Sequence, residues 1–415
     1  MNWISRNSTL IVIIGVAISF LCGAVIAIHA GPLLSYPDER DWTQLATSLV
    51  REHTYSYDGI HATAFRPPGF ACFLALPVAL GIGNTGLRLV NLCMLVLSEV
   101  LLALLARRLF SKFCAAISIM LVLFYPVLVY TATLLLPQTF GAMLLLLGIW
   151  LLIRVEKPST WSIVLAGIVW GVLILTIPTF VFVMGLFGVW LLWKRQGLRR
   201  KILLFAAPLI LLIGTWTARN YVVFHSTFFI ATNGGLNLLQ GNSEHSKAMS
   251  GSSTDIDKYV ATSSKMSEIE RDRFFRDSAM SWVREHPDTA LHLYVLKLVE
   301  YFTFTEKTAT ENFASQAEQP FWRTLIMLFT YEPLLLLLLV RIAIARRHPI
   351  SEFEVLFAFL YFMNAPFASI FYSRIRYRLP MDWILLLLDA GMIQIVFSRF
   401  FSRQLVQADK RVCIE

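Results

Sequence analysis

The chain is a succession of apolar runs separated by short polar stretches. Apolar residues dominate at 9–29, 69–83, 87–106, 114–134, 138–154, 160–176, 178–193, 201–217, 324–344, 353–372 and 380–398. Most approach the length a helix needs to cross about 30 Å of hydrocarbon at about 1.5 Å per residue. The pattern predicts an all-α integral membrane protein. The run 69–83 is the exception, since it is short, carries Pro77 and ends in Gly81-Ile82-Gly83. Two polar regions also carry helical spacing. Trp42, Leu45, Ala46, Leu49 and Val50 recur with polar residues between them, which predicts a short amphipathic helix on the membrane surface. Residues 218–323 are polar and of mixed charge. Within them a Gly/Ser/Thr-rich stretch at 241–254 reads as loop. Helices are expected at about 266–285 and from Pro287 to about 304.

Charge decides the topology. If 69–83 crossed the membrane from a cytoplasmic start, Arg107, Arg108 and Lys112 would fall outside. If it re-enters or lies on the surface, they fall inside. Arg154, Lys157, Lys194, Arg195, Arg199, Arg200, Lys201, Arg346, Arg347, Arg399 and Arg403 then fall inside with them. That choice gives about ten transmembrane helices and two cytoplasmic termini. It divides the chain into a transmembrane module at 1–217 with a first outer loop at 30–86, an extracytoplasmic region at 218–323, C-terminal transmembrane helices at 324–398 and a cytoplasmic tail at 399–415. The segment 9–29 reads as a signal anchor rather than a cleaved leader, because further spans follow it.

Composition supports the membrane assignment, with 57% hydrophobic and only 15% charged residues. The net charge of +9 then belongs to cytoplasmic loops and not to nucleic-acid binding. Cys22, Cys72, Cys93, Cys114 and Cys413 show neither metal spacing nor a disulfide framework, and the histidines share no spacing. No metal ligand is therefore assigned, although a divalent metal is compatible with the chemistry considered below.

The charged residues left on the outer side are the candidates for chemistry. Asp38, Glu39 and Asp41 follow the first span, where a carboxylate can take a proton from an acceptor hydroxyl. Asp38 and Asp41 also have the spacing to cap the amphipathic helix. Arg374, Arg376 and Arg378 form a loop before the last span and break the usual scarcity of outer positive charge. Their forked donors suit a phosphate of a substrate, or of a lipid headgroup. Arg219 is a snorkelling anchor or a ligand contact. Lys297 is on a solvated helix face or is a second cation for a leaving phosphate. Asn233-Gly234-Gly235 reads as a turn. Arg88 and Asn91 read as helix-packing glue. The spans look nearly free of acidic residues, with the charges gathered at the outer face.

The order of these features resembles the GT-C class of membrane glycosyltransferases. Within it, the protein O-mannosyltransferase-like group is the nearest match, and that group includes bacterial enzymes that add aminoarabinose to lipid A. The matching elements are Asp38-Glu39-x-x-Trp42, Arg66-Pro67-Pro68, Arg107 to Phe110, Trp216-x-x-Arg219-Asn220-Tyr221, Thr232 to Gly235, Gly241-Asn242 and Arg376 to Pro380. Many members carry an acid at the outer start of the fourth span, where this chain has Pro137-Gln138. The chain is short for the class, which fits a compact bacterial enzyme rather than the eukaryotic type.

The resemblance implies an inverting transfer of a sugar from a polyprenyl-phosphate donor to a lipid, glycan or protein acceptor, at the outer face of the bacterial inner membrane. Asp38 and Glu39 would be catalytic. Arg374, Arg376, Arg378, Arg219 and Lys297 would bind the donor phosphate, and Asp41, Arg66, Asn233 and Asn242 would bind substrate. A lipid-linked sugar flippase or transporter, or a non-catalytic partner in envelope polysaccharide assembly, would share the span count.

Overall fold

The structure, a computed structural model, describes residues 2–153, 159–194, 199, 201–248, 251–303 and 321–412. Arg154, Lys157, Arg195, Arg200 and Cys413 lie outside them, as do the side chains beyond residue 398. Among the described residues there is no strand longer than the isolated bridge between Ser56 and Ala62. The first half comprises α1 (Asn2–Arg6), α2 (Ser8–Ala30), α3 (Pro37–Arg51), α4 (Pro68–Ala79), α5 (Asn84–Leu109), α6 (Lys112–Phe124) and α7 (Val127–Ala132). Then come α8 (Pro137–Ile153), α9 (Thr160–Thr176), α10 (Phe180–Lys194) and α11 (Ile202–Phe224). The polar region holds α12 (Gly234–Gly241), α13 (Asp257–Thr262), α14 (Glu268–Glu285) and α15 (Pro287–Glu300). The chain closes with α16 (Phe321–Ala343), α17 (Glu352–Ser369) and α18 (Ile375–Val412).

Among the described residues, five helices are long and apolar enough to cross a membrane: Ser8–Ala30, Asn84–Leu109, Ile202–Phe224, Thr324–Ala343 and Ile375–Ser398. They make this a multi-pass, all-α membrane protein. The other five expected spans are shorter. The run 114–134 is the most altered, because Pro126 divides it into α6 and α7. Proline lacks a backbone donor and forces the residue before it out of helical geometry, and Tyr125 adopts φ −109°, ψ 75°. Helix α4, within the apolar run 69–83, has 12 residues, or roughly 18 Å of helix.

Helix α3 is amphipathic as expected, but its apolar face does not lie on lipid. Trp42, Leu45 and Ala46 are buried, and Trp42 meets Phe70 of α4 edge-on at 5.6 Å. The two short helices cover each other instead of the membrane surface. Helix α4 in turn packs on α9, where Gly69 comes so close that a Cβ would stand 2.3 Å from Thr176 Oγ1 and 2.8 Å from the Leu175 backbone.

The spans are not as poor in acids as their sequence suggested. Glu99, Asp382 and Asp389 are buried within long apolar helices. Asp382 accepts from Tyr125 Oη at 2.9 Å and pairs with Arg378 at 3.3 Å. The carboxylate oxygens of Glu99 and Asp389 meet no hydrogen-bond partner among the described residues.

The crossing of α9 and α11 depends on a missing side chain. A Cβ on Gly167 would lie 2.1 Å from the Phe205 carbonyl oxygen, whereas one on Gly185 meets nothing within 4 Å. Gly167→Leu should therefore cost at least about 1–3 kcal/mol and lower the thermal unfolding midpoint of the detergent-purified protein. Gly185→Leu should leave that midpoint unchanged.

Candidate active site

The segment between α2 and α5 is fixed by the residue beside Asp38. Glu39 is completely buried. Its Oε1 accepts from Arg88 Nη1 at 2.7 Å and from the Leu135 N–H at 3.0 Å. Its Oε2 accepts from the Ser35 and Tyr36 N–H groups at 3.0 and 3.2 Å. Glu39 thus caps α3, a task expected of Asp38 and Asp41. Its expected catalytic role is corrected, because four donors occupy it and it faces away from the cavity. Arg88 also donates to the carbonyls of Thr133 at 2.5 Å and Leu33 at 2.5 Å. Asn91 donates to those of Ala132 and Leu134 at 3.0 and 2.8 Å. Both residues are packing glue, as expected.

A helix turns about 100° per residue, so Asp38 points elsewhere. It borders a cavity of about 690 Å³. Asp38 Oδ1 accepts from Arg66 Nη2, and Oδ2 accepts from Arg376 Nη1. Arg66 also donates to Asp41 Oδ2, from Nε at 3.2 Å and from Nη2 at 2.7 Å. Burial pushes the Asp38 carboxyl up, but the charges of Arg376 and Arg66 outweigh it and hold the group well below the ordinary carboxylate range. The cavity wall adds Trp42, Gln138 and Asn233, and residues 176–182 give it a largely apolar side.

The three late arginines do not act together. Arg374 precedes α18, while Arg376 and Arg378 lie within its first turn. Alternate residues of a helix are about 200° apart, so only Arg376 reaches the cavity. Arg378 donates to the carbonyls of Tyr301 at 2.6 Å and Thr303 at 3.1 Å, and its guanidinium lies 3.4 Å from the Tyr331 ring centroid. Arg374 is buried against Gly251, where a Cβ would stand 2.8 Å from its Nε. Neither lines the cavity where their expected phosphate contacts would lie.

The other expected cations and amides also hold the frame. Arg219 Nη1 donates to the Thr63 carbonyl at 2.9 Å, and its guanidinium lies 4.9 Å from the Trp216 ring. Trp216 Nε1 donates to the Ile230 carbonyl at 2.7 Å. This motif ties the end of α11 to the segment between α3 and α4 and stands outside the cavity. Lys297 Nζ donates to Gly241 O at 3.1 Å, Asn242 Oδ1 at 3.1 Å and Phe371 O at 2.9 Å. Burial lowers its pKa to about 8. Asn242 donates to Leu238 O and Ile370 O at 2.9 Å each. Neither faces the cavity, so their expected ligand roles are corrected too.

Asn233 does border the cavity. The glycines after it do not form a turn; they open α12. A Cβ on Gly235 would meet Asp272 O at 2.0 Å, and its N–H donates to Asp272 Oδ1 at 2.6 Å. One anchor was not foreseen. Glu268 accepts from Thr63 Oγ1 at 2.7 Å, from the Ala64 N–H at 2.9 Å and from Thr232 Oγ1 at 2.5 Å. No spacing signals a contact across 205 residues. Among the described residues, no three His, Cys, Asp or Glu side chains gather as a metal site.

The helical architecture is similar to that of solved membrane proteins. Residues 65–217 match the family model described as dolichyl-phosphate-mannose-protein mannosyltransferase. The crystal structure of ArnT from Cupriavidus metallidurans bound to undecaprenyl phosphate superposes with a TM-score of 0.57 at 15% identity, over 94% of this chain and 62% of that one. The apo crystal structure of the Archaeoglobus fulgidus oligosaccharyltransferase gives 0.56 at 15% identity, over 98% and 53%. The chain therefore spans less than two thirds of either solved protein. No curated protein matches its sequence.

Removing one partner of a buried ion pair costs roughly 3–5 kcal/mol. Glu39→Ala should lower the unfolding midpoint sharply by stranding Arg88, and Glu39→Met with Arg88→Met should recover much of the loss. The two midpoints, read by tryptophan fluorescence in detergent, check this.

Proposed function

We propose that the protein is an inverting glycosyltransferase. It moves a sugar from a polyprenyl-phosphate donor to a hydroxyl of a lipid, glycan or protein acceptor. The carrying observation is one cavity in which a carboxylate and an arginine, 338 residues apart in the chain, meet beside a largely apolar wall. In this reading Asp38 takes the acceptor's proton. The acceptor oxygen bonds to the anomeric carbon, the bond from that carbon to phosphate breaks, and polyprenyl phosphate leaves with its negative charge facing Arg376. The apolar residues 177–182 suit the start of a polyprenyl chain. The reaction lies on the outer face of a bacterial inner membrane, with both termini inside, and 1–217 forms a transmembrane module completed by 218–323 and 324–398.

A flippase for a lipid-linked sugar gains some support from Glu99 and Asp389, since transporters use ionisable groups at membrane depth. Neither residue borders the cavity, which favours the enzyme. A flippase would move labelled lipid-linked sugar across vesicles without forming product. A non-catalytic assembly partner would form none and would tolerate loss of Asp38.

Asp38→Asn should reduce transfer by the purified protein about 10²–10⁴-fold, measured with a polyprenyl-phosphate sugar and the acceptor fraction. Near-full transfer by a folded Asp38→Asn protein would exclude the base assignment. Arg376→Gln should raise the KM for donor more than that for acceptor, whereas equal losses would mean that the arginine serves only the fold.

A further inference from the structure

The group needed as a base is the most tightly held group in the cavity. Arg66 occupies Asp38 Oδ1 and Arg376 occupies Oδ2. A carboxylate with a guanidinium on each oxygen is poorly placed to accept a proton. The two arginines differ, however, in what else holds them. Arg66 makes two hydrogen bonds to Asp41, at 3.2 and 2.7 Å. It also lies against the rings of Trp42 and Phe65, at 5.5 and 5.6 Å. Among the described residues, Asp38 is the one carboxylate paired with Arg376, whose other neighbours include the neutral phenols of Tyr377, with its ring at 5.3 Å, and Tyr372. Arg376 also reaches the cavity from a different element, the first turn of α18.

We infer that Arg376 is an exchangeable cation whose transfer from Asp38 to the donor phosphate switches on the base. This rests on the glycosyltransferase reading of the cavity. Arg66, with Asp41 to retain it, is a positioning residue and stays on Oδ1. When a lipid-linked donor enters, its phosphate oxygens compete with Asp38 Oδ2 for the Arg376 guanidinium. The exchange frees Oδ2 for the acceptor hydroxyl. Once Asp38 has taken the acceptor's proton it is neutral and holds Arg376 less strongly, while the departing polyprenyl phosphate has gained a charge and holds it more. Loss of the proton from Asp38 and release of the phosphate return Arg376 to its resting partner. The donor therefore binds first, and an acceptor that arrives alone meets an occupied carboxylate.

The competition has a sign that a simple base would not give. Undecaprenyl phosphate is the probe, titrated into the full-length purified protein in nanodiscs by tryptophan fluorescence. Asp38→Asn should bind it more tightly than wild type, on the order of tenfold, because Arg376 no longer has a charged competitor. Asp38→Ser serves the same purpose should Asp38→Asn fail to fold. Asp41→Asn removes the same charge nearby but leaves Arg376 paired, and should change affinity little. In an Arg376→Gln background the Asp38→Asn gain should vanish. Unchanged affinity in both Asp38 variants would overturn the exchange while leaving the donor reading intact. Equal tightening by Asp41→Asn, or tightening that survives Arg376→Gln, would also overturn it, since the cause would then be the general field. Failure of wild type to bind undecaprenyl phosphate would overturn the donor reading, and the exchange with it.

Discussion

Glu39 and Arg88 share a site that water does not reach, and most of the cavity's geometry follows from that. A charge so placed is tolerable only if it is paired and its remaining valences are filled. Glu39 meets the condition with Arg88, Leu135, Ser35 and Tyr36, and Arg88 with Thr133 and Leu33. Three segments are thereby locked together: the entry to α3, the start of α5 and the stretch before α8. The residue before it, Asp38, is the base of the proposed reaction. With Glu39 fixed inward, Asp38 has one direction left, and it is toward the cavity. The adjacent acids at the start of α3 are thus unlike in kind, one bound into the frame and the other bordering the cavity.

The same division runs through the rest of the charged residues. Glu268, Arg219, Lys297 and Arg378 are spent on joining segments distant in sequence. Lys297 joins the loop after α12 to the turn before α18, two segments that approach so closely that a Cβ on Gly241 would stand 1.7 Å from Phe371 O. Backbone carbonyls buried at such a junction need donors, and a lysine brings three. A site framed by irregular segments at the end of a helical bundle requires such cross-links, because no ladder of backbone bonds supplies them.

Helix positions were legible in the sequence because membrane crossing demands long apolar runs, and α14 and α15 fall where their spacing placed them. Failures came where a second constraint overrode the pattern. The run 114–134 is apolar throughout, yet Pro126 breaks it. The amphipathic stripe of α3 was real, but α4 covers it where lipid was expected. The arginines at 374, 376 and 378 looked like a single device because alternate residues share a side in an extended loop. In a helix they diverge, and that one change of local conformation leaves Arg376 alone in the cavity. Pairings such as Arg376 with Asp38 had no signature at all, since electrostatic complementarity across more than three hundred residues leaves no periodicity to find.

The charges in and beside the cavity bear on the proposed reaction in a further way. Asp38 and Asp41 carry two negative charges, and Arg66 and Arg376 carry two positive ones, so the resting set is neutral. During transfer, negative charge moves from Asp38, which gains a proton, to the phosphate, which loses its sugar. A cation fixed on the carboxylate would oppose that movement, since it would be best placed for the starting state. A cation able to follow the charge favours the later state, and preferential stabilisation of the later state is what lowers a barrier. Arg66 is held by Asp41 and cannot follow. Arg376, tied to the site through Asp38, is the residue whose attachments permit it, so the difference between two neighbouring guanidinium groups lies in what else each one touches.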